Sequence, residues 1–587
     1  MGGKFGDSAT SRPSVIIVGA GAGGVATAAR LAAAGCKVTV VEKNDFSGGR
    51  CSLIHRDGYR FDQGPSLLLL PRLFHETFRD LGTSLEAEGV NLVKCDPNYN
   101  IHFHDDTHFQ MSTDLAVMKT EIERFEGKDG FERYLAFLTE SHRHYEVSVT
   151  FVLKRNFYSL LSMLRLDFLW YLLDLHPFES IYFRASKYFL TDRLRRVFTF
   201  ASMYMGMSPY DAPGTYSLLQ YTELAEGIWY PIGGFWKVVE ALVNIGERLG
   251  VEYKFNTPID RIQLSNDGKR ATGVVLQDGT SLTADIVVCN ADLAYAYNNL
   301  LPSTSYSKSL LKRQASCSSI SFYWALDRQF PELSAHNIFL AEEFKESFDS
   351  IFKKHLIPDQ PSFYVNVPSR VDPSAAPKGC DAIVVLVPVG HLQDDGSDAH
   401  KGTEGSAPGL TQDWPTMVAA ARRTILRTVE ARLHISLAPH IRHETINTPP
   451  SWKAAFNLDR GAILGLSHSF FNVLSFRPKT KHPDIHHLYF VGASTHPGTG
   501  VPIVLAGAKI VAEQIFTDRG LAHELPWQTE ETVRQAASKS PLDREHRGIF
   551  LGLPEWLAIV VVLLVSLLVV PSVWGKGRGG SLVAGDW

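Results

Sequence analysis

Near its amino terminus the chain carries a glycine-rich turn between two short runs of β-branched residues. Residues 15–18 and 38–41 have the composition of buried strands, residues 19–24 form the turn, and residues 25–34 are alanine-rich. The pattern therefore predicts an α/β protein built on a Rossmann-type sheet.

The glycines of this turn follow the spacing GxGxxG, and each meets a different steric need. Gly19 permits the sharp turn, Gly21 lets backbone amides approach a pyrophosphate, and Gly24 allows the helix to pack closely on the strand. Glu42 ends the second strand about 20 residues later, where an acid accepts hydrogen bonds from an adenosine ribose. The sequence predicts a dinucleotide site, and these features alone do not decide between FAD and NAD as its ligand. The alternative is a purely structural glycine turn.

Further glycines extend the predicted site. Gly49 and Arg50 follow Glu42 closely and would add backbone amides and a fixed cation near the phosphates. Arg50 also suits an ordinary surface ion pair. Gly64 and Pro65 belong to the next glycine-containing block.

A second strand, glycine loop and helix follow near the carboxyl end of the chain. Residues 488–491 have strand character, and the helix after the loop would present unpaired backbone amides at its first turn. A strand is also predicted over 250–259, before residues 284–289 return to the first sheet. These segments add to the predicted cofactor site Ile259, Gly492, Ala493, Ser494, Gly500 and Val501.

Charge and cysteine content exclude several classes of protein. The 58 basic and 62 acidic residues give a net charge of −4, which provides no electrostatic footprint for nucleic acid. The six cysteines are widely spaced without a CxxC pair, so neither a disulfide framework nor a thiolate metal site is predicted. The clustered histidines near 102–108 and 142–144 lack an HExxH motif, and we expect no metal site.

Residues 556–575 form a run of twenty residues without a charge. At about 1.5 Å per residue, a helix of this length spans a hydrocarbon layer of roughly 30 Å. We predict one transmembrane helix over 554–575, with a buried core helix or a hairpin-like dip into the membrane as the alternatives. Residues 151–190 favour amphipathic helices that pack on the core, line an apolar tunnel or lie against lipid.

Three segments together resemble the bacterial and fungal type of phytoene desaturase, a carotenoid desaturase family of the flavin amine oxidase superfamily. They are TDRLRRVF at 191–198, GIWYPIGG at 227–234 and, most specifically, FVGASTHPGTGVPIVLAGA at 490–508. The resemblance runs from about residue 15 to residue 516. The apolar carboxyl-terminal segment is similar to that of the fungal members.

This resemblance implies a membrane-associated oxidoreductase that acts on CH–CH groups of a linear C40 carotenoid. FAD is the implied cofactor, with NAD as an alternative named for some fungal members. Successive desaturations of phytoene would give lycopene and, in fungal members, 3,4-didehydrolycopene. The chemistry is hydride transfer to the flavin followed by loss of a proton from an allylic cation, and amides at the second helix start would stabilise the reduced flavin.

Candidate proton acceptors or cation stabilisers follow from the matched segments. Asp192 and Arg195 are one helical turn apart, although they also suit an ordinary intrahelical ion pair. Glu223 or Glu226 is a second candidate, and His496 lies in the loop expected near the flavin, where it could equally be a cap.

The predicted fold is a Rossmann-type FAD-binding domain interleaved with an α+β substrate domain, plus one carboxyl-terminal transmembrane helix. The body is expected in the cytosol, and the sequence does not indicate an oligomeric state. A reductive saturase or oxidase of another isoprenoid, and a prenyl-lipid escort without catalysis, remain open as functions. The segments are 1–70 and 231–300 (dinucleotide-binding), 71–230 (substrate or membrane-associated), 301–480 (substrate, with a polar insertion at 391–413), 481–520 (flavin-contacting), 521–553 (linker), 554–575 (transmembrane) and 576–587 (tail).

Overall fold

The computed structural model describes residues 12–164, 171, 174–393 and 412–528. The predicted transmembrane helix and tail, most of the linker and most of the polar insertion lie outside these residues. None of the helices in the described ranges is long and apolar enough to cross a membrane.

The described elements are as follows. The strands are β1 (Ser14–Val18), β2 (Lys37–Val41), β3 (Leu53–Arg56), β4 (Tyr59–Asp62), β5 (Leu92–Lys94), β6 (Tyr99–His102), β7 (His108–Met111), β8 (Trp229–Pro231), β9 (Glu252–Lys254), β10 (Ile259–Leu264), β11 (Ala271–Leu276), β12 (Ser281–Thr283), β13 (Ile286–Cys289), β14 (Ser318–Leu326), β15 (His336–Phe339), β16 (Phe363–Asn366), β17 (Asp381–Val389), β18 (Ile441–Asn447) and β19 (Leu488–Phe490). The α-helices are α1 (Ala22–Ala33), α2 (Pro71–Asp80), α3 (Leu115–Glu126), α4 (Asp129–Val147), α5 (Ile181–Ser186), α6 (Asp192–Val197), α7 (Leu218–Tyr221), α8 (Trp236–Arg248), α9 (Leu293–Tyr295), α10 (Ser305–Leu311), α11 (Phe344–Phe352), α12 (Trp414–Leu433), α13 (Pro449–Phe456) and α14 (Val501–Asp518).

A five-stranded parallel sheet forms the first layer, in the order β19-β13-β1-β2-β9. The predicted strand–helix–strand start of the chain is confirmed as β1, α1 and β2. Helices α1, α8 and α14 cover one face, and their apolar residues join those of β1 and β2 in one core. The same core contains Phe74 and Phe78 of α2, so it extends beyond the predicted boundary at residue 70.

The strand predicted over 250–259 is two elements in the structure. Residue Asn256 adopts a left-handed conformation (φ +51°), which ends β9 before Pro258 and separates it from β10. Ile259 therefore begins an antiparallel strand rather than ending a parallel one. The hairpin partner of β11 is β12, and the chain then returns to the first sheet as β13.

The second layer is a seven-stranded sheet in the order β18-β14-β17-β16-β15-β6-β7. Its strand pairs are antiparallel except for β6 with β15. Apolar residues of α12, including Ile425 and Val429, pack on β14 and β17. Because this sheet draws strands from two separate chain segments, the nucleotide and substrate layers are interleaved in sequence.

The region over 151–190 has both buried and exposed apolar side chains in its described part. Phe157 and Leu175 are buried, whereas Phe178 is 72% exposed and Leu190 is 65% exposed. Phe178 packs against Phe470, with ring centroids 5.0 Å apart. Part of this region thus belongs to the core, and part of it presents apolar surface to its surroundings.

Candidate functional site

A cavity of about 910 Å³ reaches from the carboxyl ends of the parallel strands to the inner face of the second sheet. Gly21 and Gly500 both line it, although 479 positions separate them in the chain. The two glycine segments therefore meet in one site. The predicted cofactor residues that line the cavity are Gly19, Gly21, Glu42, Gly49, Arg50, Gly64, Pro65, Ile259, Gly492, Ala493, Ser494, Gly500 and Val501.

Gly24 is the predicted cofactor residue that does not line the cavity. A Cβ atom at Gly24 would lie 2.1 Å from the carbonyl oxygen of Gly19. No side chain fits there, because α1 packs directly on the turn. Gly24 thus acts on the site through the placement of the helix.

The start of α1 is open to an anionic ligand. No side chain caps the helix at Gly21, and its first turn contains no acidic residue. A Cβ atom at Gly21 would lie 2.7 Å from Oδ1 of Asn290 and would narrow the approach to these amides. Uncapped amides together with the helix dipole provide a binding site for phosphate groups.

The carboxylate of Glu42 is fixed at the end of β2 by two backbone amides. Oε2 accepts a hydrogen bond from the Ala20 amide at 2.8 Å, and Oε1 accepts one from the Asn44 amide at 2.9 Å. Each oxygen keeps a further lone pair for a second donor. The position suits a ribose that donates its hydroxyls to the carboxylate.

Arg50 lines the cavity and is only partly exposed, so it is not the exposed surface residue that the sequence also allowed. Its guanidinium donates a hydrogen bond to the carbonyl of Ile463. Burial lowers the pKa of Arg50, and the nearby Asp292 partly offsets this effect. Burial and then the carboxylate of Asp459 raise the pKa of Asp292 to about 6. A guanidinium in the wall of a cavity suits the phosphates of a nucleotide.

Asn290 and Asp292 line the cavity and were not predicted from the sequence. Both follow the last residue of β13, and carboxyl ends of parallel strands commonly carry ligand-binding residues. The position of both residues just after the strand predicted over 284–289 was therefore a signal that the sequence already contained. Oδ1 of Asn290 is buried without a hydrogen-bond partner among the described atoms, whereas its amide group donates to the Val491 carbonyl at 2.8 Å.

These features fit a bound dinucleotide. The helix start is uncapped, a glycine leaves room for close approach, the Arg50 cation lines the cavity, and the Asn290 oxygen without a partner lies beside it. An acceptor buried without a partner is costly, so a ligand that donates to it would remove this penalty.

The carboxyl-terminal loop is held on the cavity by a buried arginine. Arg477 donates hydrogen bonds to the carbonyl oxygens of Thr495 at 3.0 Å, of Asn472 at 2.7 Å and of Ser467 at 3.2 Å. Gly500, at φ +99°, then directs the chain into α14. The start of α14 thus lines the cavity, as predicted, although Pro502 supplies no amide hydrogen there.

His496 does not line the cavity, contrary to the expectation from its loop. Its Nε2 lies 2.7 Å from the carbonyl oxygen of Arg155, and its ring contacts Phe157. His468 lies in the cavity wall instead, where its Nε2 accepts a hydrogen bond from the Thr499 amide at 3.2 Å. The polarity of the loop alone did not determine which way His496 points.

Asp192 and Arg195 do not pair with each other and do not line the cavity. Asp192 forms an ion pair with Arg196 at 2.5 Å and accepts a hydrogen bond from Tyr182 at 2.6 Å. Arg195 donates to the carbonyls that precede α6, those of Phe189 and Leu190. The expected pair is wrong, because the (i, i+4) neighbour has the better geometry and Arg195 caps a chain reversal.

Glu223 and Glu226 lie on a π-helical turn, Thr222–Glu226, and have different surroundings. Glu226 accepts hydrogen bonds from Tyr145 and Thr222, each at 2.7 Å. Glu223 is fully buried, and Tyr99 donates to its Oε1 at 3.0 Å. Neither glutamate lines the cavity, but Glu223 connects to it through two tyrosines.

The part of the cavity beyond the glycine segments has a mainly apolar wall. Placing an apolar ligand there is favourable by roughly 25 cal/mol for each Å² removed from water. Specificity must then come from the shape of the wall. The wall includes Leu70, Leu218, Leu340, Phe344, Phe348 and Leu386.

Glu140, His144 and His176 bring potential metal ligands within 4.8 Å of one another in the described part of the chain. Their atoms already have protein partners. Arg184 pairs with Glu140, while the ring nitrogens of His144 lie 2.7 Å from Ser217 Oγ and 2.8 Å from the Asp174 carbonyl. An arginine beside the carboxylate opposes a cation, so we expect no metal here.

Comparison with known proteins gives a family and close relatives. The model of the flavin-containing amine oxidoreductase family matches residues 22–403. A phytoene desaturase of Fusarium fujikuroi is 63% identical over 560 residues, which cover 94% of this chain and 98% of the relative. A phytoene desaturase of Neurospora crassa is 59% identical over 551 residues, which cover 91% of this chain and 90% of the relative.

The fold also matches solved structures at low sequence identity. An oxidoreductase from Methanosarcina mazei superposes with a TM-score of 0.57 at 15% identity and covers 85% of this chain and all of that one. This likeness concerns the fold alone.

Proposed function

Since the chain belongs to the flavin-containing amine oxidoreductase family and, within it, to the fungal phytoene desaturases, we propose that it desaturates phytoene. The reaction removes two hydrogens from adjacent carbons of a linear C40 hydrocarbon. It is an oxidation of CH–CH groups in carotenoid biosynthesis.

One observation carries this proposal: the nucleotide end and the apolar wall belong to a single cavity. A hydrocarbon offers no polar group for recognition, so it must be bound by burial of its surface. A continuous cavity allows a carbon atom of such a chain to reach the redox group that the glycine segments hold.

We propose FAD as this redox group, with NAD as the less supported alternative. Glu42 would accept hydrogen bonds from its ribose, while the start of α1 and Arg50 would hold its phosphates. When bound, the flavin would accept a hydride from the hydrocarbon. Amides at the start of α14 would stabilise the negative charge that this transfer creates.

The end product and the location belong to the same proposal. We propose that successive rounds give lycopene and that a further round can give 3,4-didehydrolycopene. We further propose that residues 554–575 anchor the protein in a membrane with its body in the cytosol, since this run has the length and apolar character of a spanning helix. A lipid layer would supply a substrate that water does not dissolve.

The test uses the purified full chain, FAD and phytoene-loaded liposomes, with oxygen and a quinone as electron acceptors. The expected products absorb at longer wavelengths and lose two hydrogens per step by mass. Phytoene that remains unchanged in the presence of a flavin-loaded protein would contradict the proposal. A product that gains hydrogens would identify a saturase, and a protein that retains no flavin would favour an escort.

A further inference from the structure

A chain of three hydrogen-bonding side chains connects the cavity to a buried carboxyl group. The hydroxyls of Tyr204 and Tyr99 are 2.5 Å apart, and the Tyr99 hydroxyl lies 3.0 Å from Oε1 of Glu223. Tyr204 lines the cavity, whereas Tyr99 and Glu223 are fully buried behind it. The three groups thus lead from the cavity into the protein interior.

The hydrogen bonds of this chain have a defined direction when Glu223 is ionised. Tyr99 has one hydroxyl hydrogen, and the carboxylate accepts it. Tyr204 must then donate its own hydrogen to Tyr99, because both hydroxyls cannot donate to each other. The lone pairs of the Tyr204 oxygen are therefore available to accept a hydrogen from a ligand in the cavity.

Among the described residues, no charged side chain faces the carboxyl group of Glu223. The groups facing it from neighbouring elements are Tyr99 on β6 and Tyr204, with Tyr364 on β16 beyond them. No cation pairs with Glu223 among the described residues, and its Oε2 has no hydrogen-bond partner there. Burial raises the pKa of Glu223 to about 8, and the hydrogen bond from Tyr99 opposes this effect.

The other polar chain at this wall does not end on a comparable base. The hydroxyl of Tyr364 lies 2.8 Å from both Ser66 Oγ and His336 Nδ1. Burial lowers the pKa of His336 to about 3, so its ring stays neutral. Glu223 is the stronger acceptor because it alone of these end groups can be ionised near neutral pH.

We propose that Tyr204 is the catalytic residue that takes the proton from the substrate, and that Tyr99 and Glu223 are positioning residues that carry this proton away. This inference rests on the proposed desaturation. It assigns a proton path to the second half of that reaction.

The balance of the step is as follows. A bound flavin would accept one hydrogen of the hydrocarbon with its electron pair as a hydride, which would leave an allylic cation. The neighbouring C–H bond then breaks, its electrons form the new double bond, and its proton passes to the Tyr204 oxygen. Tyr204 simultaneously gives its own proton to Tyr99, and Tyr99 gives its own to the Glu223 carboxylate.

The test compares Tyr204→Phe, Tyr99→Phe and Glu223→Gln with the wild-type chain in the flavin-loaded, liposome-bound form. Each variant is expected to lose turnover by about 100-fold, the range of general base catalysis, while flavin content stays normal. Wild-type turnover should rise with pH as Glu223 ionises, and this limb should be absent from Glu223→Gln. Glu223→Asp, which keeps the carboxyl group, should restore part of the rising limb.

Tyr134→Phe is the matched control. Tyr134 is also fully buried in the same cluster, but its hydroxyl has no hydrogen-bond partner in the described structure and it does not line the cavity. A second measurement does not depend on activity: infrared titration should show a protonated carboxyl band that disappears near pH 8 and is missing from Glu223→Gln.

The outcomes separate this proposal from the proposed function. If Tyr99→Phe or Tyr204→Phe converted phytoene at the wild-type rate and with the wild-type pH profile, the proton path would be overturned. The desaturase assignment would remain intact. No turnover in the wild-type chain would contradict the desaturase assignment itself. Absence of the titrating band in the wild-type protein would also overturn the path.

Discussion

Glu223 can ionise only by placing a negative charge in an apolar interior. Its pKa is raised to about 8 by burial, whereas an unfolded glutamate ionises near the ordinary value of about 4.3. The folded state therefore holds the proton more tightly, and the stability that this group contributes is fully present below the unfolded pKa. That contribution is lost as the pH rises toward 8.

This linkage predicts the stability of Glu223→Gln. The variant imitates the protonated side chain, so it should not share the loss of stability that the wild type suffers as Glu223 ionises. Its free energy of unfolding minus that of the wild type should therefore increase between pH 5 and 8, by up to about 1.4 kcal/mol per pH unit. Urea unfolding at both pH values measures the difference. A difference that is the same at pH 5 and pH 8 would contradict the raised pKa.

Gly21→Val should abolish flavin retention. Its Cβ would lie 2.7 Å from Asn290 Oδ1, and its methyl groups would occupy the approach to the α1 amides. The ratio of flavin to protein absorbance measures the effect. Ala116→Val, on the exposed start of α3, is the control and should retain flavin. Normal flavin content in Gly21→Val would contradict the assignment of this turn to the phosphates.

The cofactor residues could be predicted because backbone geometry, not side-chain contact, defines them. A glycine turn between two strands has few possible folds, and the nucleotide end follows from it. The candidate acids and bases could not be placed in the same way. Asp192, Arg195 and His496 found partners outside the cavity, and the path through Tyr99 depends on a contact across 124 positions.

At the scale of one element, α14 offers a comparison within a single helix. Gly500 precedes it at φ +99° and lines the cavity, while Gly520 follows it at φ +73° with open space around its Cβ position. Both substitutions to alanine carry backbone strain of about 1 kcal/mol or more. They differ in that only Gly500 lies at the cavity.

We therefore expect Gly500→Ala and Gly520→Ala to lower the melting temperature to a similar degree, and only Gly500→Ala to lower flavin content. Thermal unfolding and flavin absorbance measure the two effects. Equal flavin content in both variants would show that the start of α14 does not hold the cofactor.

Element types were easier to predict than their ends and partners. The run over 250–259 has the residues of a strand, but Asn256 and Pro258 divide it between two sheets. The sequence contains this break, yet the pairing of β9 with β2 depends on the parallel sheet as a whole. Local pattern indicates a strand, whereas tertiary structure decides which sheet receives it.

At the scale of the whole molecule, deletion of residues 554–587 tests the membrane anchor. The full chain should sediment with liposomes, and the shortened chain should remain folded and lose most of this binding. Unchanged sedimentation would assign the binding to the exposed aromatic surface that includes Phe178 and Phe471.

The combined variant Phe178→Ser/Phe471→Ser tests that surface, and Leu115→Ser, half-exposed on α3, is its control.

The order of strands in the parallel sheet has a consequence for the synthesis of the protein. β1 is among the first elements made, yet its neighbour β13 begins 272 positions later, and β19 completes the sheet only at residue 490. At about 5–20 residues per second on the ribosome, the nascent chain waits on the order of half a minute or more with this layer unfinished. Because most residues of 491–504, after this strand, line the cavity, we expect cofactor loading to follow translation of the last strand and a chain interrupted before it to emerge without flavin.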